Sequence, residues 1–207
     1  MNKLFPGILI LVKKEGIMRF FFDDIVLSRK RKITTILNSA AARLYFKLQK
    51  IDLSVLDISE YTRNYLANKL KSDVTLKSEI KKYLYVLKNS LKLCDACELP
   101  DITFMDYGGG HGMLSLLAKE SGIGRVIYTD IYSVSCNDAE KIGRALNCKA
   151  DLYLCGDIDD IISELSEKSI KCNIVANYDV IEHIYDIHYF FKRICYFGDD
   201  LVVFFAS

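Results

Sequence analysis

Proline is almost missing from this chain of 207 residues, with only Pro6 and Pro100 present. No proline-rich spacer therefore divides it. Pro100, which follows a polar helical stretch and precedes an apolar run, marks a boundary near residue 100. Nor is there an apolar run long enough to cross a bilayer, which takes about 20 residues. The run from Leu4 to Val12 is too short, and no small-residue cleavage site follows it, so no cleavable signal peptide is expected. Seven cysteines occur, yet Cys94-Asp-Ala-Cys97 has no second pair at zinc-binding spacing, since Cys148 and Cys155 stand too far apart to serve as one. The expectations are reduced thiols, a cytoplasmic location and no metal site. No internal repeat is visible.

What is present suits a folded enzyme. Hydrophobic residues make up 51% of the chain, enough to fill a sizeable core. The overall charge of +1 hides an asymmetry. Residues 1–100 hold 19 Lys/Arg against 10 Asp/Glu, a net +9, and residues 101–207 hold 9 against 17, a net −8. A basic half beside an acidic half suits docking of one on the other, or an anionic partner for the basic part. Lys-rich solvated helix faces are the commoner explanation.

Residues 105–115 read MDYGGGHGMLS and carry the most information. Asp106-x-Gly108-x-Gly110-x-Gly112 directly follows the apolar run Ile102, Phe104, Met105 and precedes the helix-like stretch from Met113 to Ala118. A strand, a Gly-rich turn and a helix N-terminus make a site for a ligand that must approach the backbone closely. The spacing is not that of the dinucleotide fingerprint G-x-G-x-x-G, which needs glycine where this chain has Met113. An acid also sits two residues before the first glycine. It would repel a pyrophosphate but not a ligand carrying an ammonium or sulfonium. The pattern resembles motif I of the class I S-adenosylmethionine (SAM)-dependent methyltransferases, acid-x-G-x-G-x-G after their first strand.

Further landmarks follow in order. Gly124 to Asp130 reads as a second strand ending in an acid, and Asp130 lies 22 residues after Gly108, near the spacing of about 20 at which such an acid reaches ribose hydroxyls. Residues 134–147 read as a helix, and Asp151 to Cys155 as a third strand running into Gly156-Asp157-Ile158. Cys172 to Asp179 reads as a buried fourth strand followed by Val180-Ile-Glu-His-Ile184. The resemblance, which covers roughly residues 101–207, implies roles for these positions. Asp106, Gly108 and Gly110 would hold the methionine portion of SAM and Asp130 the ribose, with the adjacent Ile131 also among the cofactor-binding residues. Asp157 and Ile158 would take the adenine, and Asn177 or Tyr178 would face the sulfonium. His183 would be the base if the acceptor is a hydroxyl. Asp130 and Asp157 equally suit helix N-caps, and His183 equally suits an ordinary first helical turn.

The N-terminal half gives less. Residues 34–50 and 60–93 have helical apolar spacing, as in Tyr61, Tyr65, Leu66, Leu70 and then Ile80, Leu84, Leu87, Leu91. The first 32 residues combine the Leu4–Val12 run, Phe20-Phe-Phe22 and the basic run Arg29-Lys-Arg-Lys32. They would suit a membrane surface, but packing on the catalytic domain or a second copy ranks higher.

The expected fold is α/β: a Rossmann-like, open, mostly parallel sheet with helices on both faces over residues 101–207, preceded by a helical region over 1–100. Leu201 to Phe205 reads as strand five. The resembling fold orders seven strands 3-2-1-4-5-7-6, so strands six and seven are not found and strand five would be an apolar, unblunted edge. The expected function is SAM-dependent methylation of a small-molecule or sugar hydroxyl. The alternative is a non-catalytic scaffold or subunit of the same fold, completed by a partner. Nucleic acid is not expected as substrate: residues 177–180 read Asn-Tyr-Asp-Val rather than Asn/Asp-Pro-Pro-Tyr, and the C-terminal half is acidic.

Overall fold

The computed structural model of the chain describes residues 7–12, 27–94 and 98–207, with side chains from Lys32 onward. Phe20-Phe-Phe22, the side chains of Arg29 to Arg31, and Cys97 of the C-x-x-C lie outside the described residues.

A six-stranded sheet carries the fold. Its strands are β1 (Gly7–Val12), β2 (Thr103–Tyr107), β3 (Arg125–Asp130), β4 (Leu152–Cys155), β5 (Ile174–Tyr178) and β6 (Leu201–Ala206), in spatial order β1-β6-β5-β2-β3-β4. Every pairing from β4 through to β6 is parallel. Parallel strands joined by helical crossovers are buried on both faces, which is why they read as unbroken apolar runs rather than alternating ones. All six residues of β6 are buried.

Helices cover both faces. α1 (Leu27–Gln49), α3 (Asp73–Leu93), α4 (Met113–Glu120) and α5 (Ser133–Ala145) pack on the face presented by Phe104, Val126, Ile174, Val202 and Phe204. α6 (Ile158–Glu167) and α7 (Ile187–Ile194) pack on the opposite face, against Met105, Ile127, Val175, Val203 and Phe205. The segment 60–93, which reads as one helical stretch, is two helices: α2 (Glu60–Leu70) and α3. Ser72 breaks it, because its side chain accepts the Thr75 N–H at 3.2 Å and caps the second helix.

The N-terminal half also contains a strand that helical periodicity does not reveal. β1 pairs antiparallel with β6 over its whole length, from Gly7 opposite Ala206 to Val12 opposite Leu201. Strand five of the expected order is therefore β6, and its outer side is paired rather than open. β1 stands next to it, in the place that strand seven holds in the order 3-2-1-4-5-7-6. Among the described residues no helix is long and apolar enough to cross a membrane.

Candidate functional site

The strand order reverses between β2 and β5, and a crevice opens at such a point over the carboxyl ends of the strands. The Gly-rich turn lies there. Gly108, Gly110 and Gly112 all have positive φ (67°, 51° and 76°), a backbone region that costs L-residues a steric clash. A side chain at Gly108 would run into Val180. At Gly110 an added Cβ would meet no atom of the described residues within 4 Å, so among them this residue faces open space. Gly110 is nevertheless held at both ends. Its N–H donates to the Asp130 carboxylate at 3.0 Å, and its carbonyl accepts the Tyr128 hydroxyl at 2.6 Å.

Asp130 ends β3 and is buried. Its other carboxylate oxygen accepts the Tyr132 N–H at 2.9 Å, so it fastens two backbone segments to one strand end. Asp106 sits beneath the turn, wholly buried, and accepts both the N–H and the hydroxyl of Ser115 at 2.9 and 2.8 Å. Burial pushes its carboxyl up to about 7, against the opposing pull of the Ser115 hydrogen bonds. It therefore anchors the first turn of α4 from below.

The remaining landmarks divide. Asp157 is the N-cap of α6: one of its oxygens accepts the N–H groups of Asp159 and Asp160, and Asp160 returns a bond to the Asp157 N–H. Its carboxylate stays exposed to solvent. Ile158 is buried in the core against α7, whereas Ile131, directly after Asp130, is 62% exposed. Asn177 is fully buried near the carboxyl end of β5, and among the described residues neither its amide nitrogen nor its oxygen has a hydrogen-bond partner. A buried amide without partners is uncommon and costs free energy unless something satisfies it. His183 lies exposed on the short turn Ile181–His183 that follows β5.

Two features escaped the sequence reading. His111, inside the turn, stacks on Tyr65 with ring centroids 3.7 Å apart and planes 4° from parallel, with Tyr61 beyond at 5.7 Å. Burial lowers its basicity. Tyr61 and Tyr65 are one turn apart on α2, so this helix is laid against the Gly-rich turn. The second feature holds α2 in place. Ser59, its N-cap, donates its N–H to the buried Asp138 of α5 at 3.1 Å, and Tyr65 donates to the buried Glu79 of α3 at 2.5 Å. The i, i+4 tyrosines were the available signal, and read alone they look like one more apolar helix face.

With the first five strands of the expected order in place, in that order and all parallel, and the Gly-rich turn between the first strand and its helix, the fold is settled. The chain has the fold of the class I SAM-dependent methyltransferases. No protein-family model matches it, and no curated protein does. Among solved structures it is similar to magnesium protoporphyrin IX methyltransferase from Synechocystis PCC 6803 with bound SAM, at 16% identity over 87% of this chain and 77% of that one, TM-score 0.47. A SAM-dependent methyltransferase from Agrobacterium tumefaciens matches at 16% identity, over 48% of this chain and 31% of that one, TM-score 0.37. A methyltransferase from Haloferax volcanii, described as putative and solved in complex with the activator Trm112, matches at 24% identity, over 59% and 51% of the two chains, TM-score 0.40. This chain thus spans under a third of the length of the Agrobacterium protein it matches. The methyltransferase fold here rests on the chain's own strand order and turn.

Proposed function

We propose that the protein is a SAM-dependent methyltransferase acting on a hydroxyl of a small molecule or sugar. The observation that carries this reading is the turn of three positive-φ glycines whose middle member faces open space beside the Asp130 carboxylate. The residues fit the cofactor. Gly108 and Gly110 leave room for close backbone approach, and Asp106 holds the turn and α4 in register beneath it. Asp130 has lone pairs left to accept ribose hydroxyls. The exposed Ile131 offers an apolar face to the adenine, with Asp157 at the α6 N-terminus as acceptor for its amino group and Ile158 as the core residue behind it. Asn177, buried and unpaired, supplies a neutral polar group at the switch point, next to which Tyr178 lies half-buried.

Bound SAM would supply an activated methyl group on a sulfonium for transfer to the acceptor oxygen, with the cofactor leaving as a thioether and the hydroxyl proton going to a base. The protein contributes alignment and exclusion of water. His183, on the turn after β5, takes the proton.

Calorimetric titration with SAM and with its demethylated product tests the reading, followed by methyl-transfer assays on hydroxyl acceptors. Binding in the micromolar range with turnover is expected. Failure to bind either compound would leave a methyltransferase-fold scaffold instead.

A further inference from the structure

Two cysteines that the reaction does not use meet at the edge of this site. Cys136, in the first turn of α5, is buried; Cys155, the last residue of β4, is exposed. Cys136 directs its thiol to the carbonyls of Asp130 and Leu154, at 3.6 and 3.5 Å. Cys155 directs its thiol to the carbonyl of the next residue, Ile131, at 3.7 Å. The two sulfurs therefore bracket the Asp130–Ile131 corner. Cys155 is also the register partner of Asp130 across the parallel β3–β4 pair.

The two thiols share that corner: Cys136 lies against the carbonyl of Leu154, the residue directly before Cys155. Burial, with Cys155 as a neighbouring group, pushes the Cys136 thiol up to about 12. The arrangement is asymmetric. The exposed sulfur is open to oxidants, while the buried one sits behind it and stays protonated until it reacts.

We propose that Cys136 and Cys155 close a reversible disulfide that acts as a redox switch on the corner formed by Asp130 and Ile131. Hydrogen peroxide is the oxidant. In the first step the Cys155 sulfur takes one peroxide oxygen, the O–O bond breaks, and one water leaves, giving a sulfenic acid. In the second step the Cys136 sulfur attacks the Cys155 sulfur. The S–S bond forms, the S–O bond breaks, and the hydroxyl departs with the Cys136 proton as a second water. Two thiols have then lost two electrons and two protons to one peroxide. A thiol reductant reverses the change by exchange.

Closure has a mechanical consequence. It draws the end of β4 toward α5 and removes both S–H donors from the carbonyls of Asp130 and Ile131. The Asp130 carboxylate holds the amides of Gly110 and Tyr132, so the displacement passes to the Gly-rich turn. Its effect on cofactor affinity rests on the function proposed above; the disulfide itself does not.

The experiment treats the full chain with equimolar peroxide and maps peptides by mass under non-reducing conditions. A loss of about 2 Da in a linked pair of peptides containing Cys136 and Cys155 is expected, abolished in Cys155→Ser and reversed by dithiothreitol. Hydrogen exchange at the Gly110 and Tyr132 amides should change on oxidation in the native chain but not in Cys155→Ser. SAM affinity should fall about tenfold or more on oxidation and recover on reduction. Oxygen adducts on Cys155 without a link, or a link to another cysteine, would overturn the disulfide. A link that leaves both amide exchange and SAM affinity unchanged would overturn the switch. If the reduced chain does not bind SAM, the cofactor reading fails, while the mass map and the exchange data still decide the disulfide and its reach into the turn.

Discussion

The backbone N–H of Gly110 donates to the side chain of Asp130 at 3.0 Å, which ties the Gly-rich turn to the end of the neighbouring strand. The residue expected to read a ribose thus also fastens the turn, and the two duties can be separated. Asp130→Ala strips the acceptor from Gly110 and Tyr132, so it should destabilise the fold by about 1–3 kcal/mol. If Asp130 also accepts ribose hydroxyls, SAM binding should weaken by a further ~1–3 kcal/mol, measured by calorimetry on the folded fraction. A stability loss with unchanged affinity would make Asp130 a fastener alone.

Gly110→Val tests the open space beside the turn. An added Cβ meets no atom of the described residues within 4 Å there, but φ of 51° is strained for valine by roughly 1–2 kcal/mol. The fold should survive, with a lowered melting temperature, and SAM binding should be lost. Near-native affinity would show that ligand does not approach the backbone here.

Asp106 predicts a pH dependence. Its folded-state value is raised by burial to about 7, above the ordinary carboxylate value. The folded state therefore holds a proton that the unfolded chain releases between pH ~4 and 7. The stabilising contribution is complete below pH ~4 and is lost as pH rises through about 7, at up to ~1.4 kcal/mol per pH unit within that window. Asp106→Asn keeps an acceptor for Ser115 and removes the titration. By denaturant unfolding, the native chain should lose about 2–3 kcal/mol of stability relative to the variant on going from pH ~5 to pH ~7.5. Parallel curves would place the Asp106 titration elsewhere.

Much of this fold is legible because each parallel strand announces itself twice. Ile174 to Ala176 and Leu201 to Phe205 are unbroken apolar runs, as burial on both faces requires, and the ends of β2, β3 and β4 run into glycine or aspartate. The positions of Gly108, Gly110 and Asp130 at those ends could be read from spacing. Asp157 could not be resolved, since an exposed acid before a helix suits both a cap and a ligand; it is in fact a complete capping box. The solitude of Asn177 is invisible in sequence, because a missing partner is a property of three-dimensional neighbours. β1 was unreadable for a different reason. Six apolar residues fit a strand, a helix or a surface segment alike, and what decides among them is the edge of β6, at the far end of the chain.

That edge supplies the last prediction. Val203 is fully buried; its backbone lies between Ile10 of β1 on one side and Val175 of β5 on the other. A lysine there would not blunt an open edge, as it would on a bare strand five; it would place a charge in the core against α7. Val203→Lys should therefore destabilise the protein by several kcal/mol rather than raise its solubility. Removing residues 1–12 tests the same pairing from the other side. It strips β6 of its antiparallel partner and leaves Leu-Val-Val-Phe-Phe with unpaired backbone groups and no charge or proline to deter another chain. The shortened protein should self-associate at concentrations where the full chain stays dispersed, as read by light scattering. Slow amide exchange across residues 201–206 should be lost with it. If the shortened chain scatters no more than the full one and keeps those amides protected, β1 does not guard this edge.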